Sequence, residues 1–281
     1  LMKRIVNKAD FILVDSHHSA KDLSKVFSGI SEKTFILTFG IDPSFRRSTE
    51  ASLSAGIRNK LGVHNKIVLY VGRQDPHKNL PALIKIHSEV LKKCVDATLV
   101  IAGSLDSRYP EIPFLIEELR LKDKVLVTGY LTQRDLVALY REAALLAMPS
   151  LYEGFGLPLL EAMASGIPVV ASNEASIPEV VGEAGILLDP RSHSEWIEQI
   201  ALLLETAPSP ATAGTSHSPQ TQTPHNTHVP PSREHLQNYG KGRGINTEFR
   251  RDLIEKGFRR LSLFSWEMAA KQAIKIYEQY K

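Results

Sequence analysis

Residues 149–172 read PSLYEGFGLPLLEAMASGIPVVAS, and this stretch decides the fold. Gly154 and Gly156 bracket a phenylalanine, so the backbone can turn sharply there and another molecule can come close to its N–H groups. Pro158 is tolerated in the first turn of a helix, Gly166 is a typical residue just past a helix end, and the apolar run that follows predicts a buried strand. A helix N-terminus behind a glycine loop offers unpaired N–H donors and a partial positive charge, which suits a phosphate group.

Two carboxylates flank this predicted anion site. Glu153 lies just before the glycines, and Glu161 lies eight positions later, in what we expect to be the first turn of the helix. Because an ionised carboxylate only accepts hydrogen bonds, the pair indicates a ligand that carries hydroxyl groups beside its phosphates, such as a nucleotide sugar. Taken alone, Glu161 fits equally well as an acid that the helix dipole favours at a helix start.

The surrounding chain alternates between apolar runs and amphipathic segments of helical period. Continuous apolar runs are expected for strands that are covered on both faces of a sheet. Six such runs lie at 66–71, 97–102, 124–128, 144–148, 169–171 and 185–188. Separated by helices, they predict an α/β fold with a doubly wound, Rossmann-like parallel sheet, whose ligands bind at the carboxyl ends of the strands.

The composition excludes several classes of protein. The chain has 281 residues, is 43% hydrophobic and carries a formal net charge of only +3, which predicts no nucleic-acid partner. Its single cysteine, Cys94, excludes an internal disulfide and a cysteine-rich zinc site, and predicts a buried structural thiol. No apolar run reaches the roughly 18–20 residues that span a bilayer, and the first residues lack the apolar core of a signal peptide. We therefore expect a cytoplasmic location.

The chain divides into four predicted segments. Residues 1–44 hold two short strands, at 11–15 and 35–39, and residues 45–206 hold the Rossmann-like domain. Residues 207–246 are rich in proline, glycine and polar residues, so we expect a disordered insert whose scattered histidines are solvated. Residues 247–281 form a helical C-terminal extension, in which Ser265 should cap the last helix.

Two other groups of polar residues have simple interpretations. His17 and His18 have no second cluster of ligands in reach, so we expect them at the surface beside a helix cap. The extension also contains a basic patch, for which we expect a solvated helix face, with contact to phosphate or an anionic membrane as the alternative. Its members are Arg250, Arg251, Lys256, Arg259 and Arg260.

A second set of charges follows the first strand of the predicted sheet. There Arg73 can bind phosphate with a forked pair of donors, and Lys78 supplies a compact positive charge. Each alone fits a simpler reading, with Arg73 paired to a local carboxylate and Lys78 solvated. That reading weakens because parallel strands end at one edge of the sheet, which brings these cations toward Glu153 and Glu161. The set predicts a diphosphate clamp beside a hydroxyl-rich group.

These motifs resemble those of the family 4 retaining glycosyltransferases. The shared motifs are Gly72-Arg73 with Lys78-Asn79, Gly129-Tyr130, Glu153-Gly-Phe-Gly-Leu-Pro to Glu161, Gly166-Ile-Pro168, Ser176-Ile-Pro-Glu to Gly182, and Phe264-Ser-Trp-Glu267. The resemblance implies the GT-B fold, in which two Rossmann-like domains face each other across a cleft. It also implies that residues 1–44 are the last part of an N-terminal, acceptor-side domain whose remainder is missing.

The resemblance implies a role for each matching residue. The catalytic candidates are Arg73 and Lys78, which would hold the donor diphosphate, and Glu153, which would contact the transferred sugar. Glu161 would accept hydrogen bonds from the ribose hydroxyls. The other donor-binding candidates are Gly72, the base-pocket residues Tyr130 and Leu131, and the loop residues Gly154, Phe155, Gly156 and Leu157. Enzymes of this family need no metal and no cofactor beside the nucleotide-sugar donor.

Substrate and activity leave several alternatives open. The glycine-loop segment is similar to that of bacterial mannosyl- and rhamnosyltransferases, which predicts a GDP-mannose-like donor and a saccharide or lipid-linked acceptor in polysaccharide synthesis. Peripheral contact of the chain with the inner face of the membrane is an open alternative to a purely cytoplasmic location. The main alternative is a non-catalytic module that binds nucleotide sugars. A glycosidase would use its carboxylate pair across one bond, which Glu153 and Glu161 beside an anion site fit less well. A phosphorylase with pyridoxal phosphate would need a buried lysine at a strand end.

Overall fold

The structure is a computed structural model that describes residues 2–46, 55–208 and 243–280, the side chains of 55 and 243–246 excepted. The predicted insert at 207–246 lies outside the described residues except at its two ends, where Ala207 is buried and a helix already begins at Arg243.

A small parallel sheet forms the first part of the chain. Strand β1 (Ile12–Val14) pairs with β2 (Thr34–Ile36), and the two are flanked by α1 (Met2–Lys8) and α2 (His17–Val26). The side chain of Ser16 caps α2 by accepting a hydrogen bond from the Ser19 N–H, because an N-cap oxygen satisfies one of the free amides of the first turn. Both strands are confirmed, but each has three residues where five were predicted, and β2 begins one residue earlier than expected.

A six-stranded parallel sheet forms the body of the molecule. Its strands are β3 (Lys66–Val71), β4 (Ala97–Ala102), β5 (Val125–Val127), β6 (Ala143–Met148), β7 (Val169–Ser172) and β8 (Ile186–Leu188). They lie in the order β5-β4-β3-β6-β7-β8, and every pairing is parallel. The order reverses between β3 and β6, which is the arrangement of a doubly wound Rossmann sheet. The predicted fold class is confirmed.

Helices cover both faces of this sheet. They are α3 (Ala55–Leu61), α4 (Leu80–Lys93), α5 (Glu111–Glu118), α6 (Gln133–Glu142), α7 (Leu157–Ala164), α8 (Ile177–Val181), α9 (His193–Glu205) and α10 (Arg243–Arg260), and a further helix, α11 (Trp266–Gln279), follows them in the chain. Along β3, Ile67 and Leu69 belong to a core with α6 and α7, whereas Val68 and Tyr70 belong to a core with α4 and α9. Successive side chains of a strand point to opposite faces, so a strand buried on both sides must be apolar throughout.

The basic patch of α10 is only in part the solvated face that we expected, because Arg251 and Arg259 are exposed whereas Arg250 and Arg260 contact the body of the protein. Arg250 is buried, and its guanidinium donates hydrogen bonds to the backbone carbonyls of Leu203, at 3.2 Å, and Ala144, at 2.7 Å. Burial lowers the pKa of Arg250 to about 10. Arg260 donates to the carbonyls of Glu179 and Val180 at the end of α8. These two arginines anchor α10 because they satisfy backbone carbonyls that packing would otherwise leave unpaired.

Helix α11 returns to the small sheet. Ser265 caps it as predicted, and Trp266, although half-exposed, lies with its ring 5.7 Å from that of Phe39. Further along the helix, the Gln272 side chain donates to the backbone carbonyl of Ile36 at 2.7 Å. The described residues contain no helix that is long and apolar enough to cross a membrane.

Candidate functional site

Two loops flank the reversal of strand order. The β3–α4 loop (residues 72–79) and the glycine loop (residues 149–156) leave neighbouring parallel strands at their carboxyl ends. Helix α4 then packs on one face of the sheet and α7 on the other. Loops that diverge in this way leave a crevice between them, which is where ligands of open parallel sheets bind.

An ion pair spans this crevice. Lys78 ends the short 3₁₀ turn Pro76–Lys78, and its Nζ lies 2.8 Å and 2.7 Å from the two carboxylate oxygens of Glu153. Only 20% of the Lys78 side chain and 9% of the Glu153 side chain are exposed. The reading of Lys78 as a solvated lysine is therefore wrong. The resemblance assigned Lys78 to the donor diphosphate and Glu153 to the transferred sugar, and in the structure these two side chains bind each other directly.

The side chain of Arg73 is not held in a buried ion pair as that of Lys78 is. Its side chain is 73% exposed, and its Nε lies 3.1 Å from Oδ2 of Asp75. The pairing with a local carboxylate is therefore present, but only 18% of the Asp75 side chain is exposed and Asp75 also accepts a 3.1 Å hydrogen bond from the Tyr109 hydroxyl, so Asp75 keeps a partner when a bound anion takes Arg73. The backbone beneath is fixed, because the Arg73 carbonyl accepts a 2.7 Å hydrogen bond from the buried Tyr70 hydroxyl.

Gly72 has a backbone role in the same loop. Its φ of +154° lies in the region that L side chains rarely adopt. The neighbouring strand comes so close that a Cβ at Gly103 would lie 2.4 Å from the Gly72 carbonyl oxygen. A side chain at Gly103 would separate the ends of β3 and β4, whereas a Cβ at Gly72 would lie 3.2 Å from the Tyr70 hydroxyl that holds the Arg73 carbonyl.

The glycine loop is held by buried contacts. Gly156, with φ +103°, is the N-cap of α7, and a Cβ there would lie 2.8 Å from Cδ1 of Leu159. Phe155 is buried and packs edge-on against other rings. The Ser176 hydroxyl donates to the backbone carbonyl of Glu153, at 2.8 Å, and approaches that of Phe155 at 3.3 Å. The carbonyls of the loop are thus engaged. At the start of α7, Pro158 has no N–H and the N–H of Leu159 donates to the Gly156 carbonyl, so the amides available to a ligand are those that precede Pro158.

The end of α7 forms as predicted. Gly166 has φ +72°, its N–H donates to Met163, and the N–H of Ile167 donates to Ala162. This pair of hydrogen bonds is the Schellman motif, which requires a left-handed residue after the helix. Leu157, the first residue of the helix, is exposed.

Glu161 does not lie in the first turn of α7, which contains no acid. The reading of Glu161 as a dipole-favoured acid is therefore wrong. Its Oε2 accepts a 2.6 Å hydrogen bond from the hydroxyl of Tyr140, in α6. Burial raises the pKa of Glu161 above its ordinary value, and the charge of Asp42 adds to the rise, while the hydrogen bond from Tyr140 opposes it. Neither the hydrogen bond from Tyr140 nor the influence of Asp42 was predicted from the sequence, because each joins Glu161 to an element that is distant in sequence.

The predicted base-pocket residues lie at the same edge, further along the sheet. Tyr130 follows β5, two strands away from β3, and its side chain is 90% exposed. Leu131 is partly buried and packs against the core. Between them and the crevice, Gly129 forms an isolated bridge with Gly103. The structure thus brings Lys78 and Glu153 into contact, whereas Tyr130 stands apart on the rim.

The small sheet also contacts the glycine loop, through residues that we had not assigned to the site. The Ser16 hydroxyl donates a 2.7 Å hydrogen bond to the Gly154 carbonyl, and a Cβ at Gly154 would lie 3.1 Å from a carboxylate oxygen of Asp15. The Glu179 carboxylate accepts hydrogen bonds from the N–H groups of His17, at 2.8 Å, and His18, at 2.7 Å. The two histidines are therefore cap-adjacent, as predicted.

Other classes of site find little support. Within residues 2–46, 55–208 and 243–280, no group of three or more His, Cys, Asp or Glu side chains could hold a metal ion. Cys94 is buried at the end of α4, and burial raises the pKa of its thiol to about 11. A thiol of this kind is unreactive at neutral pH, as expected for a structural cysteine.

Comparison with known proteins places the chain in a family. The model of the glycosyl transferases group 1 matches residues 56–216. The chain is 32% identical over 217 residues to the D-inositol 3-phosphate glycosyltransferase of Corynebacterium glutamicum, covering 72% of this chain and 51% of that protein. It is 29% identical over 186 residues to the O-antigen chain mannosyltransferase B of Escherichia coli, covering 66% of this chain and 49% of that protein. The chain spans about half the length of the curated relatives it matches.

The fold agrees with this assignment. The sucrose-phosphate synthase from Thermosynechococcus elongatus superposes with a TM-score of 0.71 at 25% identity, over 99% of this chain and 60% of that one. Sequence and fold therefore lead to the same conclusion: the chain belongs to the group 1 glycosyltransferases of the GT-B fold.

Proposed function

We propose that the crevice binds the diphosphate of a nucleotide-sugar donor and that the chain forms the donor side of a retaining glycosyltransferase. The ion pair of Lys78 with Glu153 carries this proposal. A cation and an acceptor-only carboxylate are held together, with little exposure, at the switch point of the sheet and beside the N-terminus of α7. A phosphate and the sugar hydroxyls next to it need those two kinds of partner.

The proposed chemistry is electrostatic. Lys78 has three N–H donors, so it can bind a phosphate oxygen and keep a contact with Glu153. Arg73 exchanges its contact with Asp75 for one with the diphosphate, and the amides of Phe155, Gly156 and Leu157 at the N-terminus of α7 add further donors. These groups are in place before the reaction, so they stabilise the negative charge that develops on the diphosphate as its bond to the sugar breaks. Glu153 accepts hydrogen bonds from the sugar, and Glu161 from the ribose.

The donor and acceptor are finer proposals. One of the relatives is an O-antigen chain mannosyltransferase, which supports a GDP-mannose-like donor and a saccharide or lipid-linked acceptor in polysaccharide synthesis. We also propose that transfer needs no metal ion, because Arg73 and Lys78 supply positive charge beside the diphosphate. A cytoplasmic location, with peripheral contact at the inner face of the membrane, is part of the same proposal.

A second candidate is a module that binds nucleotide sugars without transferring them. The contacts described at the crevice are those expected of a donor site, and binding alone would use all of them. The two candidates share the donor site and differ only in turnover.

A thermal-shift screen of nucleotide sugars tests the donor site. We expect a sugar nucleotide, with GDP-mannose first among those tested beside UDP-glucose and ADP-glucose, to raise the melting temperature. A screen in which no nucleotide sugar stabilises the chain would contradict both candidates. Hydrolysis and transfer assays with the stabilising donor then separate them, since binding without turnover supports the second. Turnover that persists in the presence of EDTA would support the metal-free reaction.

A further inference from the structure

The hydroxyl of Tyr140 is a buried group that the proposed chemistry does not yet use. Tyr140 lies in the last turn of α6 and is fully buried. Its ring meets that of Phe45 edge-on, with centroids 5.5 Å apart. Apolar packing would be served equally well by a phenylalanine, so the hydroxyl itself needs an explanation.

The proton of this hydroxyl is committed to one acceptor. The Tyr140 oxygen lies 2.6 Å from Oε2 of Glu161, and its other neighbour, the carbonyl of Pro158, is 3.4 Å away. Burial, followed by the charge of Glu161, raises the pKa of Tyr140 well above its ordinary value. Tyr140 therefore stays neutral and acts as a hydrogen-bond donor. A short hydrogen bond from a neutral hydroxyl to a carboxylate is among the stronger kinds in proteins.

This contact constrains the carboxylate of Glu161. The last side-chain torsion of a glutamate has a broad minimum, so an unsupported carboxylate samples many orientations. A hydrogen bond to Oε2 selects one of them. A carboxylate has about four acceptor positions on its two oxygens, and Tyr140 uses one, which leaves the other oxygen and further lone pairs for a ligand.

We propose that Tyr140 is a positioning residue, which holds the Glu161 carboxylate in the orientation that accepts the ribose hydroxyls of the donor. The inference rests on the proposed function and deepens it, because it explains how a partly buried acid is kept ready for the ribose. Tyr140 does not touch the donor in this account. It acts only through Glu161.

The electrostatics around Glu161 make the role measurable. The groups that face it are Tyr140 from α6 and Asp42 from the turn after β2. The backbone N–H and hydroxyl of Ser44 lower the pKa of Asp42, so Asp42 stays ionised, and its charge raises the pKa of Glu161 whether or not Tyr140 keeps its hydroxyl. Removal of the hydroxyl leaves burial and Asp42 unopposed. The pKa of Glu161 then rises further, and a protonated Glu161 accepts fewer hydrogen bonds from a ribose.

The test is the Tyr140→Phe variant, titrated by calorimetry with GDP and UDP from about pH 5 to about pH 8. For the nucleotide that the wild type binds, we expect the variant to lose about tenfold in affinity at neutral pH, the size expected for a hydrogen bond to a charged group. Because binding needs an ionised Glu161, affinity falls as the pH falls, and in the variant this fall begins at a higher pH. Glu161→Gln should remove that pH dependence.

Two controls separate positioning from packing. The 2′,3′-dideoxy forms of GDP and UDP lack both ribose hydroxyls, so they should bind the wild type and Tyr140→Phe with closely similar affinities. Tyr277→Phe removes a hydroxyl from the exposed side of α11, far along the chain from the crevice, and should leave both the affinity and the pH profile unchanged.

The outcomes are distinct. If the wild type binds nucleotides while Tyr140→Phe keeps the same affinity and pH profile, the positioning role is wrong and the proposed function stands. If the affinity of the variant falls by the same factor for nucleotides with ribose hydroxyls and for their 2′,3′-dideoxy forms, Tyr140 acts through packing alone and the inference is overturned. If the wild type binds neither nucleotide at any pH, the proposed function and the inference fail together.

Discussion

The two loops of the crevice come from adjacent strands, yet the chain holds them by different means. In the glycine loop, buried contacts fix the backbone: the Ser176 hydroxyl engages its carbonyls, and Phe155 packs among other rings. In the β3–α4 loop, the backbone of Arg73 is fixed by the Tyr70 hydroxyl, but its side chain is largely exposed and contacts Asp75. The first arrangement positions a ligand, whereas the second adapts to one. The contact of Lys78 with Glu153 joins the two.

The largest effect should follow from breaking that contact. Lys78→Ala leaves the Glu153 carboxylate desolvated and without its cation, so we expect a loss of about 3 kcal/mol in the free energy of unfolding and the loss of measurable donor binding. Urea denaturation measures the first quantity and calorimetry the second.

A matched pair elsewhere provides the control. Lys122 lies 2.9 Å from Glu117, but both side chains are about 70% exposed. Lys122→Ala should leave stability unchanged, because exposed pairs contribute little. Equal losses in the two alanine variants would show that the crevice pair is an ordinary surface contact.

The next effect concerns the backbone of the glycine loop. Gly156→Ala forces a side chain into the positive-φ region and brings its Cβ to within 2.8 Å of Leu159, so we expect a destabilisation of about 2 kcal/mol together with weaker donor binding. Thermal melting and a nucleotide titration report the two effects.

Gly62→Ala separates conformational strain from the steric contact. Gly62 also has a positive φ, +65°, but a Cβ there would meet nothing within 4 Å. The Gly62→Ala variant should lose less stability than Gly156→Ala and keep its affinity for donors. If the two variants behave alike, the close packing around Gly156 is not what holds the loop.

A smaller effect is expected at the ribose. Glu161→Ala should weaken nucleotide binding by about 1–3 kcal/mol, since it removes a charged acceptor. The same substitution should hardly affect binding of inorganic pyrophosphate, which has no ribose. Unchanged nucleotide affinity in titration calorimetry would refute the ribose role of Glu161.

Much of this organisation could be predicted from the sequence. The apolar runs of β3 and β6 are continuous, and the glycines at 154, 156 and 166 mark the loop and the helix end, so the doubly wound sheet and its active edge follow from local patterns. The N-caps Ser16 and Ser265 are likewise local signals. Each of these features depends on residues a few positions apart.

The parts that could not be predicted depend on contacts between distant segments. Glu161 of α7 accepts a hydrogen bond from Tyr140 of α6, and nothing in the residue spacing of either helix indicates that pairing. The polar composition of α10 suggests a solvated surface. The burial of Arg250 could not be predicted from it, because the carbonyls that Arg250 satisfies belong to α9 and β6. The contact of Lys78 with Glu153 was anticipated only as proximity at one sheet edge.

The central claim is that the crevice recognises a diphosphate, and Arg73 tests it most directly. Calorimetric titration of wild type and Arg73→Ala, each with a nucleoside and with its diphosphate, compares the two ligands in one site. Because the Arg73 side chain is 73% exposed and Asp75 keeps its hydrogen bond from the Tyr109 hydroxyl, removal of the Arg73 side chain should not disturb the fold. We predict that Arg73→Ala binds the diphosphate at least about tenfold more weakly while its affinity for the nucleoside is unchanged. Equal losses for both ligands, or no loss for either, would contradict the account.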